Sequence, residues 1–292
     1  MNVLVTGANG QLGSELRLVA EGSRDRFVFT DVTTVPGVET VFLDITNIDA
    51  VRIICDSEKI DVIVNCAAYT NVDKAEDDHA TAVLLNSSAV ANLARVAAER
   101  NAVLIHISTD YVFHGDKTVP YREDWPTDPL GVYGSTKLLG EREAARSGCK
   151  CIVFRTAWLY SPFGKNFVKT IGQLTAERDS IKVVFDQVGT PTYARDLALL
   201  IGKVIRTRML DRTGTYHFSD EGAISWYDFA KAICELSGNT CDILPCHTED
   251  FPSKATRPRF SVLDKTKVKE TFGITIPYWR DSLADCIKRL EK

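Results

Sequence analysis

The chain has 292 residues, 45% of them hydrophobic and 25% charged, with a formal net charge of −4 at pH 7. That length buries a sizeable core and suits one large α/β unit or two lobes. No basic run or basic-aromatic stripe appears, which excludes nucleic acid as the main partner. No apolar run approaches the ~18 residues that span a bilayer.

The N-terminus, MNVLVTGANG, enters a strand-like segment at once, without a charged leader. Eight cysteines form no CxxC pair and the five histidines no HExxH, so no zinc site is expected. The cysteines read as reduced thiols of a cytoplasmic protein, and His106, inside VLIHIS, as a hydrogen-bonded core residue.

Taken in order, NVLVT (2–6), RFVFT (26–30), DVIVNC (61–66), AVLIHIS (102–108) and CIVFR (151–155) predict strands. Segments of helical period lie between them, notably 11–21, 77–100 and 133–146. Apolar runs alternating with helices predict a parallel sheet with right-handed crossovers, a Rossmann-type doubly wound α/β fold. Beyond about residue 160 the rhythm loosens. IKVV (181–184) and GTYHFS (214–219) read as strands, and 193–208 as a helix. The helix in ISWYDFAKAICELSG closes at Gly238. Residues 1–160 are therefore expected to form a dinucleotide-binding domain, with chain returning around 186–208. Residues 161–292 are expected to form mainly a smaller substrate lobe, drawn from roughly 160–185 and 210–275.

TGANGQLG links the first strand to the first helix and places Gly7, Gly10, Gln11, Leu12 and Gly13 at that turn. Glycines permit the tight turn and let backbone amides approach a pyrophosphate at a helix N-terminus. Asp31 ends the second strand, where a carboxylate receives the adenosine-ribose hydroxyls. A carboxylate there repels the 2′-phosphate of NADPH and leans toward NADH.

YGSTKLLGE sets Tyr133 and Lys137 four residues apart, and YDFAK repeats that spacing at Tyr227 and Lys231. Context separates them. Ser108 and Thr109 end the fourth long strand, at the sheet edge where ligands of open α/β folds bind, and Tyr133 opens the next helix. Tyr227 is expected in mid-helix with Trp226, Phe229 and Ile233 as a packing surface. Ketone reduction needs hydride on carbon and a proton on oxygen, and a nearby ammonium is expected to lower the phenol from its usual pKa of about 10.

The GxxGxxG spacing resembles the short-chain dehydrogenase/reductase superfamily, whose extended branch carries a second lobe for nucleotide sugars. VNCAAYTNVDKAE, ISTDYVFHG, RTAWLYSPFGKNFV, DQVGTPTYARDLA and ATRPRFSVLD follow in order with the two motifs above. Together the seven are similar to the dTDP-4-dehydrorhamnose reductase family over nearly the whole chain. The resemblance implies Thr109, Tyr133 and Lys137 as the catalytic trio, with NADPH or NADH as cofactor. It implies that Asp44 and Ile45 flank the adenine, and that Ala67, Ala68 and Tyr69 lie toward the nicotinamide. Asp110, Trp158, Asn166, Phe167, Gln187, Thr192 and Arg257 would meet the nucleotide sugar, Arg257 through its pyrophosphate. For Arg257 a surface ion pair, and for Trp158 core filling, remain open alternatives. Some members form homodimers helped by a divalent metal (Mg) held by carboxylates, but no complete carboxylate set matches here. The implied reaction reduces the 4-keto group of dTDP-4-dehydro-6-deoxy-L-mannose to dTDP-L-rhamnose. Two alternatives stand beside it. One is a non-catalytic regulatory subunit resembling the β subunit of methionine adenosyltransferase. The other is a reductase or epimerase of another deoxysugar nucleotide.

Overall fold

The computed structural model describes residues 1–290, so the last two residues of the expected 161–292 lobe lie outside the described residues. The first half alternates strand and helix: β1 (Asn2–Thr6), α1 (Gln11–Glu21), β2 (Arg26–Asp31), β3 (Val41–Phe42), α2 (Ile48–Ser57) and β4 (Val62–Asn65). Then come α3 (Val72–Ala75), α4 (His79–Val83), α5 (Ala89–Glu99), β5 (Val103–Thr109), α6 (Val132–Arg146) and β6 (Lys150–Thr156). A π-helical segment, Leu84–Ser88, joins α4 to α5. The second half holds β7 (Leu159–Tyr160), α7 (Phe167–Glu177), β8 (Ser180–Val184), β9 (Val188–Gly189), β10 (Thr192–Tyr193) and α8 (Ala194–Arg206). It ends with β11 (Gly214–His217), β12 (Ile224–Ser225), α9 (Trp226–Leu236), β13 (Asp242–Cys246), α10 (Thr266–Phe272) and α11 (Trp279–Leu290).

Seven strands form one parallel sheet in the order β11-β6-β5-β4-β1-β2-β3. Strand order reverses between β1 and β4, the point where such sheets open a crevice at their carboxyl ends. Val3, Val5, Val62 and Val64 face α1 and α8, while Leu4, Ile63 and Leu104 face α2 and α5. Burial on both faces explains why these strands read as unbroken apolar runs. A third core joins α7, α9, α11, β8 and β13 around Phe229, Ile233, Ile243 and Leu283.

Two expectations are corrected. GTYH was read into the smaller lobe, but Gly214–His217 pairs with β6 as the edge of the central sheet, and Val268 and Phe272 of α10 pack beneath it. A short strand carries no mark of which sheet it joins. Tyr160, Val168 and Ile181 pack in the third core. Tyr227 lies at the start of α9, not mid-helix, because Ser225 and Asp228 build a capping box there. Gly238, with φ +68°, follows the end of that helix as its sequence suggested.

Candidate active site

A cleft of about 770 Å³ opens over the carboxyl edge of the sheet. Gly7, Gly10, Gln11, Leu12 and Asp31 line one end of it. Gly7 has φ +62°, and a Cβ there would sit 2.6 Å from the Ala67 nitrogen, so the loop closes directly on the chain leaving β4. Gly10 is the N-cap of α1 and supplies no side-chain cap. The first amides of α1 are thus presented toward the cleft, the cradle that fits a dinucleotide pyrophosphate. Gly13 does not line the cleft. A Cβ there would meet the Ala8 Cα at 2.5 Å, so its smallness serves the packing of helix against turn.

Asp31 accepts hydrogen bonds from the Asn9 amide at 3.0 Å and from the Thr33 amide and hydroxyl at 2.9 and 2.8 Å. Arg17, stacked over Phe29, adds a positive charge beside that carboxylate. Asp44 turns the chain by accepting from the Thr46 amide and hydroxyl at 2.9 and 2.7 Å. With Ile45, Ala67 and Ala68 it forms the adjacent wall. Tyr69 points elsewhere, its hydroxyl 3.3 Å from Asp78. Its backbone is instead held by Asn86, which accepts from the Tyr69 amide at 2.9 Å and donates to the Tyr69 carbonyl and Thr136 hydroxyl, each at 3.1 Å. Asn86 belongs to the π-helical segment and was not singled out in the sequence. An extra residue in a helix re-aims a side chain, and here it ties the Ala67–Tyr69 turn to α6.

Thr109, Asp110, Tyr133 and Lys137 meet on the cleft wall. The half-buried Tyr133 packs edge-on to Tyr111, ring centroids 5.5 Å apart. Burial raises its phenol above the ordinary range, and the hydrogen bond with Thr109 opposes that rise. The expected lowering by Lys137 is corrected. That ammonium instead donates to the Ile107 carbonyl at 2.6 Å, and burial pushes it down to about 8 against the opposing charge of Glu141. Thr109 donates to Asp110 at 3.0 Å, and burial lifts the Asp110 carboxyl to about 6. His106 is a core residue, its Nδ1 3.1 Å from Asn65 Nδ2.

Trp158, Asn166 and Arg257 also line the cleft. Trp158 has φ +47°, rare for a bulky side chain, and stacks on Trp226 with centroids 3.6 Å apart. Asn166 caps α7 and donates to Gln11 at 2.9 Å. Arg257 donates to Asp73 at 2.7 Å and to the Tyr111 hydroxyl at 3.0 Å.

Phe167, Gln187 and Thr192 are not brought to the cleft wall. Phe167 packs behind Trp226 at 4.5 Å, Gln187 donates to Thr248 at 3.2 Å, and Thr192 accepts from Thr156 at 3.0 Å. Sequence position alone separates such supporting residues poorly from lining ones. Asn9, Tyr111, Lys165 and Trp226 line the cleft and were missed as site residues, although the first three lie inside motifs already quoted. Among the described residues no group of three His, Cys, Asp or Glu side chains converges as a metal-ligand set.

A glycine-turn cradle at the switch point, with a tyrosine–lysine pair beside it, defines a Rossmann-type protein of the short-chain dehydrogenase/reductase class. Comparison with known proteins narrows this. The family described as RmlD substrate binding domain matches residues 1–292, and the chain belongs to that family. It is 39% identical to a dTDP-4-dehydrorhamnose reductase of Burkholderia thailandensis, covering 99% of each chain. A dTDP-4-dehydrorhamnose reductase structure from Clostridium acetobutylicum superposes with a TM-score of 0.93 at 41% identity, covering 100% of each chain. Another from Bacillus anthracis, in complex with NADP, gives 0.90 at 36% identity over 99% of each chain.

Proposed function

We propose that the protein reduces the 4-keto group of dTDP-4-dehydrorhamnose to give dTDP-L-rhamnose, using NADPH or NADH. The observation that carries this reading is the convergence of Thr109, Tyr133 and Lys137 on the same cleft as the uncapped N-terminus of α1. A nicotinamide cofactor, when bound in this cleft, would supply the hydride for the keto carbon. Tyr133 gives its phenolic proton to the keto oxygen. A phenol raised by burial holds that proton fully at neutral pH, as a general acid in the reducing direction must. Lys137, charged below about pH 8, holds the nicotinamide-ribose hydroxyls beside the phenol. Thr109, once its hydroxyl turns from Asp110, orients the keto oxygen by donating a hydrogen bond to it. Gln11, Leu12 and the glycines hold the cofactor pyrophosphate, and Asp31 the ribose. Arg17 beside Asp31 offsets the repulsion of a 2′-phosphate, which favours acceptance of both cofactors. Trp158 faces the deoxysugar and Arg257 the substrate pyrophosphate. Eight free cysteines suit the reducing cytoplasm. Among the described residues no helix is long and apolar enough to cross a membrane.

The test is NAD(P)H oxidation with the dTDP-4-keto-6-deoxysugar as substrate. Turnover that falls away on Tyr133→Phe supports the reading. Cofactor binding without turnover of any 4-ketosugar nucleotide sinks it.

A further inference from the structure

Glu141 lies one helical turn beyond Lys137 on α6 and is only 8% exposed. Its carboxylate accepts three hydrogen bonds, from Ser108 Oγ at 2.5 Å and from Arg155 Nε and Nη2 at 2.9 and 2.7 Å. Arg155, near the end of β6, sits over the Phe113 ring, and its Nη1 lies 3.5 Å from His217 on β11. His217 is neutral, pushed down to about 3 by burial and by the Arg155 charge. An ion pair sealed from water is a poor source of stability, because desolvating two charges offsets most of their attraction. The pair therefore calls for another explanation.

That explanation lies in its neighbours. Ile107, Ser108 and Thr109 are consecutive at the end of β5. The Ile107 carbonyl accepts from the Lys137 ammonium, the Ser108 hydroxyl donates to Glu141, and Thr109 faces Tyr133. Two successive turns of α6 are thus fastened to the strand that carries Thr109. The groups facing Lys137 are Cys66 beyond β4, His106 and the Ile107 carbonyl on β5, and Tyr133 and Glu141 on α6. Burial holds His106 neutral and pushes the Cys66 thiol up to about 12. The main charge opposing the burial of the ammonium is therefore that of Glu141.

We propose that Glu141, through Ser108 and Arg155, is a positioning residue for the ketone reduction, locking α6 against β5 and keeping Lys137 charged. This rests on the ketoreductase reading. Wild type, Ser108→Ala and the double variant Glu141→Gln/Arg155→Met, which leaves no orphaned charge, are compared by kcat, KM, pH profile and thermal midpoint. The expected result for the folded double variant is a kcat ~10–100-fold lower, the scale of a misplaced catalytic group. Its cofactor KM should change far less, and the alkaline limb of its kcat/KM profile should move to lower pH. Ser108→Ala should lower kcat ~3–10-fold, the scale of one lost hydrogen bond, with little change in KM. Wild-type kcat in Ser108→Ala, or wild-type kcat and limb in the folded double variant, overturns the proposal. If the double variant does not fold, Ser108→Ala decides alone. No turnover by the wild type overturns the functional reading as well, whereas active wild type with silent variants overturns only the role of Glu141.

Discussion

Asp73 and Arg257 form an ion pair at 2.7 Å although 184 residues separate them in the chain. A second pair, Asp77 with Lys254, runs alongside. Arg257 also reaches the Tyr111 hydroxyl at 3.0 Å, and Tyr111 packs against Tyr133. The guanidinium is thus held at the cleft by a carboxylate that a substrate phosphate would have to displace. Arg257→Ala is expected to raise the KM for the nucleotide sugar ~10–100-fold with a smaller change in kcat, the worth of a charge-assisted hydrogen-bond pair. Steady-state kinetics on the purified variant check this. An unchanged KM would return Arg257 to a structural ion pair.

Tyr133→Phe removes one oxygen and keeps the ring packed against Tyr111. The kcat is expected to fall ~10²–10⁴-fold, the usual contribution of a general acid. NADPH affinity, followed by fluorescence titration, should stay within a few-fold of wild type. Retained turnover would assign the proton to another group.

Lys137 predicts two opposite trends with pH. Its folded pKa is pushed down to about 8 by burial, from an ordinary 10.5. The active form is charged, so kcat/KM should decline as pH rises through about 8. Stability should run the other way. Between about 8 and 10.5 the unfolded chain holds the proton that the folded chain has released, so stability rises with pH across that window. Below it, holding the buried charge costs on the order of 3 kcal/mol, offset in part by the bond to Ile107. Lys137→Met should therefore be inactive yet melt higher than wild type at pH 7. A lower melting temperature, or activity undiminished at pH 10, would contradict this account.

Gly7→Ala places a Cβ 2.6 Å from backbone at a φ of +62°. Strain and clash together are expected to destabilise the fold by at least ~1–3 kcal/mol and to abolish cofactor binding. Gly148 has a comparable φ of +77° but nothing within 4 Å, so Gly148→Ala should show the conformational cost alone. Thermal melts with and without NADPH separate the two cases. Equal behaviour would remove steric closure on Ala67 as the reason for a glycine at position 7.

The sheet was largely legible in the sequence because strands buried on both faces leave unbroken runs such as VLIHIS. β3 was not, since Val41 and Phe42 are exposed and only two residues long. The tyrosine–lysine pair could be chosen over its Tyr227/Lys231 twin because the preceding strand ended in Ser108 and Thr109. What spacing could not convey was the balance of energies around it. The Ile107 carbonyl that accepts the Lys137 hydrogen bond is a backbone group with no signature in sequence. Asn86 and Glu141 act through tertiary contacts from unremarkable helical positions. Gln187 and Thr192 sit in a quoted motif, yet face inward behind the wall.

The edge strand β11 arrives only after the chain has passed through α7 and β8. A fragment ending near residue 160 would leave the outer flank of β6 unpaired, a raw hydrogen-bonding rim prone to sticking to other chains. Half of this chain is therefore not a smaller working part. On the ribosome, the cofactor-holding half stays unfinished until more than two hundred residues have emerged.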